Sequence, residues 1–118
     1  MVKIKFPKKE GPEDLEGLLS LIFWKNPRLV SHASEFMGHI KEWERSEKPY
    51  RVDEWQNYCT RKGISQSTYH NILKKLKDSG MIEKRYNKNR QIHELHISAR
   101  FSEVLNDLSV VWDRYKMQ

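Results

Sequence analysis

Two glycines, Gly63 and Gly80, punctuate the middle of the chain, and the segments they separate restrict its fold more than any other feature. Each glycine follows an amphipathic stretch, the place where a left-handed residue closing a helix is cheapest for glycine. Ahead of Gly63, Trp55, Tyr58 and Cys59 form the apolar edge of a helix over residues 53–62, with Asp53 as its N-cap. Behind it, Ser65 opens a second helix whose Tyr69, Ile72, Leu73 and Leu76 fall on one side. So little chain separates the two helices that only a tight turn fits. Past Gly80, residues 81–86 and 91–97 read as two strands joined by Asn87-Lys88-Asn89-Arg90, a polar turn whose asparagines tolerate left-handed geometry.

The flanks add helices. Residues 1–11 are a flexible, lysine-rich lead. Over residues 12–24, Leu15, Leu18, Leu19, Ile22 and Phe23 recur at helical spacing, behind Glu13 and Asp14 at the end of the helix that favours negative charge. Asn26 caps the next helix and Pro27 takes its first position. Its stripe of Leu29, Ala33, Phe36, Met37, Ile40 and Trp43 runs to about Arg45, and Tyr50-Arg51-Val52 makes a short strand. The last helix, residues 100–115, carries Phe101, Val104, Leu105, Leu108, Val111, Trp112 and Tyr115 in alternating steps of three and four. At 118 residues the chain is expected to hold one domain, residues 12–118, with a head over 49–98 and terminal helices over 12–45 and 99–116.

From residue 27 onward the order is helix, strand, helix, tight turn, helix, hairpin, helix. That is a mainly α winged helix-turn-helix with a small β-hairpin wing and extra N- and C-terminal helices. The run Gly63-Ile64-Ser65-Gln66-Ser67-Thr68-Tyr69-His70-Asn71-Ile72-Leu73-Lys74-Lys75-Leu76, followed by Asp78-Ser79-Gly80-Met81-Ile82, resembles the recognition helix and wing start of small prokaryotic and archaeal transcriptional regulators of the MarR-like group. The resemblance covers residues 49–98. It implies a double-stranded-DNA-binding regulator, with recognition helix 65–79 in the major groove and wing 81–97 on the backbone or minor groove. MarR-like relatives often respond to ligands held between dimer helices and head, yet no motif here marks such a pocket, and an effector is left unassigned. The wing tip also departs from the pattern, in which an acidic residue often stands beside paired arginines.

Charge is distributed to match. Residues 61–96 hold nine of the Lys and Arg against three acids, Asp78, Glu83 and Glu94, an excess equal to the whole formal net charge of +6. The rest of the chain is neutral, so the positive field is concentrated where a polyanion would dock. Setting Tyr69, Ile72, Leu73 and Leu76 inward leaves Ser67, His70, Asn71, Lys74 and Asp78 outward, with Gln66 and Lys75 at the margins. Amides such as those of Gln66 and Asn71 can bind an adenine edge bidentately, and Ser67 suits base or phosphate. Thr68 points more sideways with a hydroxyl and methyl to offer, while Ser65 is chiefly a cap. Lys74 and Lys75 suit flanking phosphates, and Lys88 and Arg90, supported by Lys84 and Arg85, would follow an adjacent phosphate strand.

Leu15, Leu19, Phe101, Leu105, Leu108, Trp112 and Tyr115 are the candidate dimerisation residues. The last helix has an apolar stripe too wide to leave in water. A two-fold operator would bring it against a twin, and the alternative is packing on Leu15 to Phe23 within one chain.

Other functions are set aside on the residues. Cys59 is the single cysteine, which excludes an internal disulfide and fits a reducing, cytoplasmic compartment. Cys59 and His70 lack further ligands at metal spacing, His93 and His96 fall on opposite faces of a strand, and His32 and His39 have no completing carboxylates. No glycine-rich phosphate loop, cofactor motif or catalytic constellation is found, so no enzyme is expected. No apolar run approaches the roughly 20 residues of a bilayer span, and Met1 to Lys9 has no apolar stretch of the secretory kind. The remaining alternatives are a DNA-binding module of replication or plasmid/genome partition, and a winged-helix adaptor for protein or RNA.

Overall fold

A computed structural model describes residues 13–118; the lead 1–11 and Pro12 lie outside the described residues. Helix α1 (Leu15–Ile22) is capped by Asp14, whose Oδ1 accepts the Gly17 N–H at 2.8 Å. Helix α2 (Leu29–Arg45) begins two residues later than expected. Asn26 does not cap it: its Oδ1 is taken by Arg28 Nε at 3.3 Å. The Asn26 and Pro27 carbonyls instead accept from Leu29 and Val30 in a turn ahead of the helix.

Strand β1 (Tyr50–Arg51) leads through a single 3₁₀ turn, Val52–Glu54, into helix α3 (Trp55–Lys62). Asp53 is not the cap of α3. Its carboxylate is captured by Arg51 Nη2 at 2.8 Å, and no side chain caps this helix. The two glycines behave as the sequence requires. Gly63 closes α3 at φ +66°, and Gly80 closes helix α4 (Gln66–Ser79) at φ +86°. Ser65 caps α4, its Oγ accepting the Thr68 N–H at 3.1 Å.

Strands β2 (Ile82–Asn87) and β3 (Ile92–Ile97) form the hairpin, and β1 pairs on the far side of β3, giving an antiparallel sheet of order β1-β3-β2. Neither asparagine of the hairpin tip is left-handed. Gln91 takes that conformation at φ +54°, because the Asn87 side chain bridges the turn: its Oδ1 accepts the N–H groups of Asn89 at 3.0 Å and Arg90 at 3.2 Å. Helix α5 (Arg100–Lys116) completes the chain. A winged helix-turn-helix with added terminal helices is the architecture.

The core is aromatic at its centre. Phe36 of α2 meets the rings of Tyr50, Tyr58 and Tyr69 edge-on, at 5.6, 5.1 and 5.3 Å, and so joins α2, β1, α3 and α4. The Tyr50 and Tyr69 hydroxyls share a buried hydrogen bond of 3.3 Å. Burial pushes the phenols of Tyr58 and Tyr69 up to about 12, and burial together with that hydrogen bond raises Tyr50 as well. Cys59 is a buried free thiol, its pKa raised by desolvation, which suits a packing role.

The root of α5 is anchored and the rest is not. Phe101 N–H donates to the Gly80 carbonyl at 3.0 Å and Ser98 N–H to the Met81 carbonyl at 2.9 Å. Phe101 packs on the core cluster, yet no residue of α5 is buried.

Candidate nucleic-acid interface

Helix α4 is held from behind. Tyr69, Ile72, Leu73 and Leu76 are buried in the core, and their spacing fixes which side chains face away. Gln66, Ser67, His70, Asn71, Lys74, Lys77 and Asp78 are all exposed. Ser67 and Asn71, one turn apart, make no side-chain hydrogen bond among the described residues, so their polar groups are available to a partner. Around them the face is lightly organised. Gln66 Nε2 lies 3.4 Å from His70 Nε2, the His70 ring stands 5.9 Å from that of Trp55, and Lys74 Nζ is 3.3 Å from the Asp78 carboxylate. Such an exposed i,i+4 ion pair contributes well under 1 kcal/mol, so a phosphate can compete for Lys74.

Two of the residues expected here are placed differently. Thr68 is half-buried, and its hydroxyl accepts from Ser65 Oγ at 3.0 Å. Lys75 also leaves the face: its ammonium sits 5.9 Å over the Phe23 ring of the α1 segment, a cation–π contact that ties α4 to the N-terminal helix. Lys77, absent from the sequence-derived candidates, is exposed near the C-terminal end of α4 and lines the same shallow groove as His70, Lys74 and Asp78.

On the wing, Lys84, Arg85, Lys88 and Arg90 are exposed. Strand register splits the first pair. Lys84 lies opposite Leu95 and Arg85 opposite Glu94, so the two project from opposite faces of the sheet and do not serve one phosphate strand together. Arg85 is paired with Glu83 two residues earlier. Lys88 and Arg90 stand at the tip, on the turn that Asn87 bridges.

The proposed dimerisation residues divide as sharply. Leu19 is fully buried in the core on α1, which leaves it no surface for a second chain and removes it from that set. Leu15 is at the margin of exposure, and Phe101 is half-buried at the root of α5. Leu105, Leu108, Trp112 and Tyr115 are open, the last three at 55 %, 59 % and 67 %, with the Trp112 and Tyr115 rings stacked 5.8 Å apart. Packing of this stripe on α1 is not what the structure adopts.

Sequence reasoning missed two polar clusters. His39 accepts from Trp43 Nε1 at 3.1 Å beside the Arg61 guanidinium, and burial, then Arg61, hold its pKa below 6.5. Glu94, on β3, is 4 % exposed and hydrogen-bonded to Asn87 and His96. Alternation along β3 places Glu94 and His96 on one face, which was the available signal. Among the described residues no group of three or more His, Cys, Asp or Glu is arranged to hold a metal ion, and no helix is long and apolar enough to cross a membrane.

A family model described as an archaeal family matches residues 13–117. No curated protein matches the chain. Among solved structures, the chain is similar to the crystal structure of MarR, at 22 % identity and a TM-score of 0.38, with 95 % of this chain and 77 % of that one covered.

Proposed function

The chain belongs to this archaeal family, and we propose that it is a sequence-specific double-stranded-DNA-binding protein, most simply a transcriptional regulator acting in the cytoplasm as a homodimer. The observation that carries the reading is the exposed side of α4. Amides, hydroxyl, imidazole and ammonium groups stand there on a rod whose other side is locked in the core, within the segment that holds the whole net charge. In this reading the N-terminal turns of α4, with Gln66, Ser67, His70 and Asn71, read base edges in the major groove. Lys74 and Lys77 neutralise flanking phosphates. The wing tip, with Lys88 and Arg90, follows the adjacent backbone or minor groove.

Dimerisation uses the open stripe of α5. A row of Leu105, Leu108, Trp112 and Tyr115 in water is costly, at about 25 cal/mol per Å² of apolar surface. A two-fold copy covers it and sets two α4 helices on successive major grooves. Residues 12–118 then act as one domain, head and dimer helices together.

The test is binding to long duplex, single strand and RNA at two salt concentrations, with the mass in solution measured free and on DNA. Three or four cations per protomer give roughly 6–8 phosphate contacts per dimer, and a log–log salt slope of about −5 to −7. A dimer mass, duplex preference and a slope in that range are expected. A slope near zero, or preference for RNA or an acidic protein, would replace this reading with the adaptor.

A further inference from the structure

Glu94 is the only buried charged side chain among the described residues, and it sits on the wing. Its face of the sheet is the one turned away from Tyr50, Leu95 and Ile82. A carboxylate removed from water must be hydrogen-bonded to persist there, and each of its oxygens is engaged. His96 Nε2 donates to Oε1 at 3.2 Å, and Asn87 Nδ2 donates to Oε2 at 3.1 Å. Both bonds continue outward. The His96 imidazole has its Nδ1 3.7 Å from Glu44 of α2, and that carboxylate accepts the Ile97 N–H at 2.7 Å. Asn87 turns its oxygen to the tip, where it accepts the N–H groups of Asn89 and Arg90. The orientation of the Asn87 amide is thereby fixed at both ends: its nitrogen faces an acceptor and its oxygen faces two donors.

We propose that Glu94 is a positioning residue for the wing, holding Asn87 so that the Lys88–Arg90 tip keeps one conformation relative to the head. The charge environment suits the role. Arg51 on β1 and Arg85 on β2 are its register partners on either side, each paired in turn with Asp53 and Glu83. The chain of contacts runs from α2, through His96, Glu94 and Asn87, to two backbone amides within the tip. A tip so fixed presents the backbone that carries Lys88 and Arg90 already in place, which spares a partner the cost of ordering the turn. This inference rests on the proposed contact of the wing with DNA for its effect on affinity, while the ordering itself is a property of the free protein.

The test uses the full chain with Glu94→Leu, which removes both acceptors, and Asn87→Ala, which keeps the carboxylate but removes the bridge and with it one of the carboxylate's two donors. In free protein, the amide resonances of Asn89 and Arg90 should shift and lose exchange protection in both variants, with the signals of α3 and α4 unmoved. Duplex affinity should fall roughly 3- to 10-fold, the cost of ordering the turn anew. In a Lys88→Ala/Arg90→Ala background the same changes should produce no further fall, because nothing is left for the tip to present. Undisturbed Asn89 and Arg90 amides in either variant would overturn the proposal. So would an equal loss of affinity in the tip-less background, which would show that the variants act through the stability of the head. If Lys88→Ala/Arg90→Ala itself bound duplex as tightly as the parent, the wing's part in DNA binding would fall, and the amide measurement would still decide the role of Glu94.

Discussion

Replacing Gly80 and Gly63 in turn by alanine separates two costs that the structure assigns to different places. Both glycines close a helix in the left-handed region, at φ +86° and +66°, so each alanine meets a backbone penalty of about 1–2 kcal/mol, partly offset by the reduced freedom of the unfolded chain. At Gly63 an added Cβ has nothing within 4 Å, and the net cost should stay near 1 kcal/mol. At Gly80 it would lie 3.0 Å from the Phe101 nitrogen and from Arg100 Cγ, and 3.2 Å from the Arg100 carbonyl carbon. The arginine stem can swing aside, but the backbone of α5 cannot move without loosening the Phe101 N–H bond to the Gly80 carbonyl. Losing that bond adds about 0.5–1.5 kcal/mol, before any repacking of Phe101. Gly80→Ala should therefore cost about 2–4 kcal/mol in urea unfolding followed by circular dichroism, at least 1 kcal/mol more than Gly63→Ala. Equal costs would mean that α5 is not seated against Gly80.

Three further expectations concern the core. His39 takes up a proton more readily in the unfolded chain than in the folded one, because burial, and next Arg61, lower its pKa from 6.5; stability is therefore complete above pH 6.5 and lost as pH falls below it. His39→Gln should flatten the melting temperature between pH 7 and 5 relative to the parent, and an unchanged pH slope would contradict this. Tyr50, Tyr58 and Tyr69 have raised pKa values, so their contribution is complete below the ordinary phenolic value near 10 and is lost as pH rises beyond it; their tyrosinate absorbance should grow only together with loss of helical signal, and full ionisation in a folded protein would disprove it. Phe36→Ala, removing the ring at the meeting point of three tyrosines, should cost about 3–5 kcal/mol in the same unfolding assay, and a cost under 1 kcal/mol would show that the aromatic centre does not join the four elements.

The parts of the fold that were legible in the sequence are those where one residue type has one cheap solution. Gly63 and Gly80 mark helix ends because few other residues take positive φ, and Ser65 caps because its hydroxyl reaches the third amide beyond. The buried face of α4 follows from a strong helical period. Legibility failed where a polar side chain had two nearby partners. Asn26 and Asp53 have cap chemistry, but Arg28 and Arg51, each two residues away, take their oxygens. Asn87 tolerates left-handed geometry, yet it is more useful as a side-chain bridge, and Gln91 bends instead. At the candidate interface the same holds for direction. Periodicity put Lys75 at the edge of the exposed face, and only the position of Phe23 shows that it turns inward. Leu19 was similarly ambiguous: an apolar residue on a short helix reads alike whether it meets the core or a second chain, and here it meets the core. Glu94 was hidden because its burial depends on pairing with a second strand, whose last residue, Asn87, supplies one of its two partners.

Whether the exposed side of α4 enters a duplex and reads it is decided by competition binding on a selected duplex and its point-substituted versions, with Asn71→Ala compared with Lys88→Ala. Asn71→Ala should lose about 1–3 kcal/mol on the preferred duplex and flatten discrimination at one position, while Lys88→Ala should weaken every duplex alike and make the salt slope shallower by about one. Equal, sequence-independent losses from both variants, or no loss from Asn71→Ala on any duplex, would contradict this role for α4.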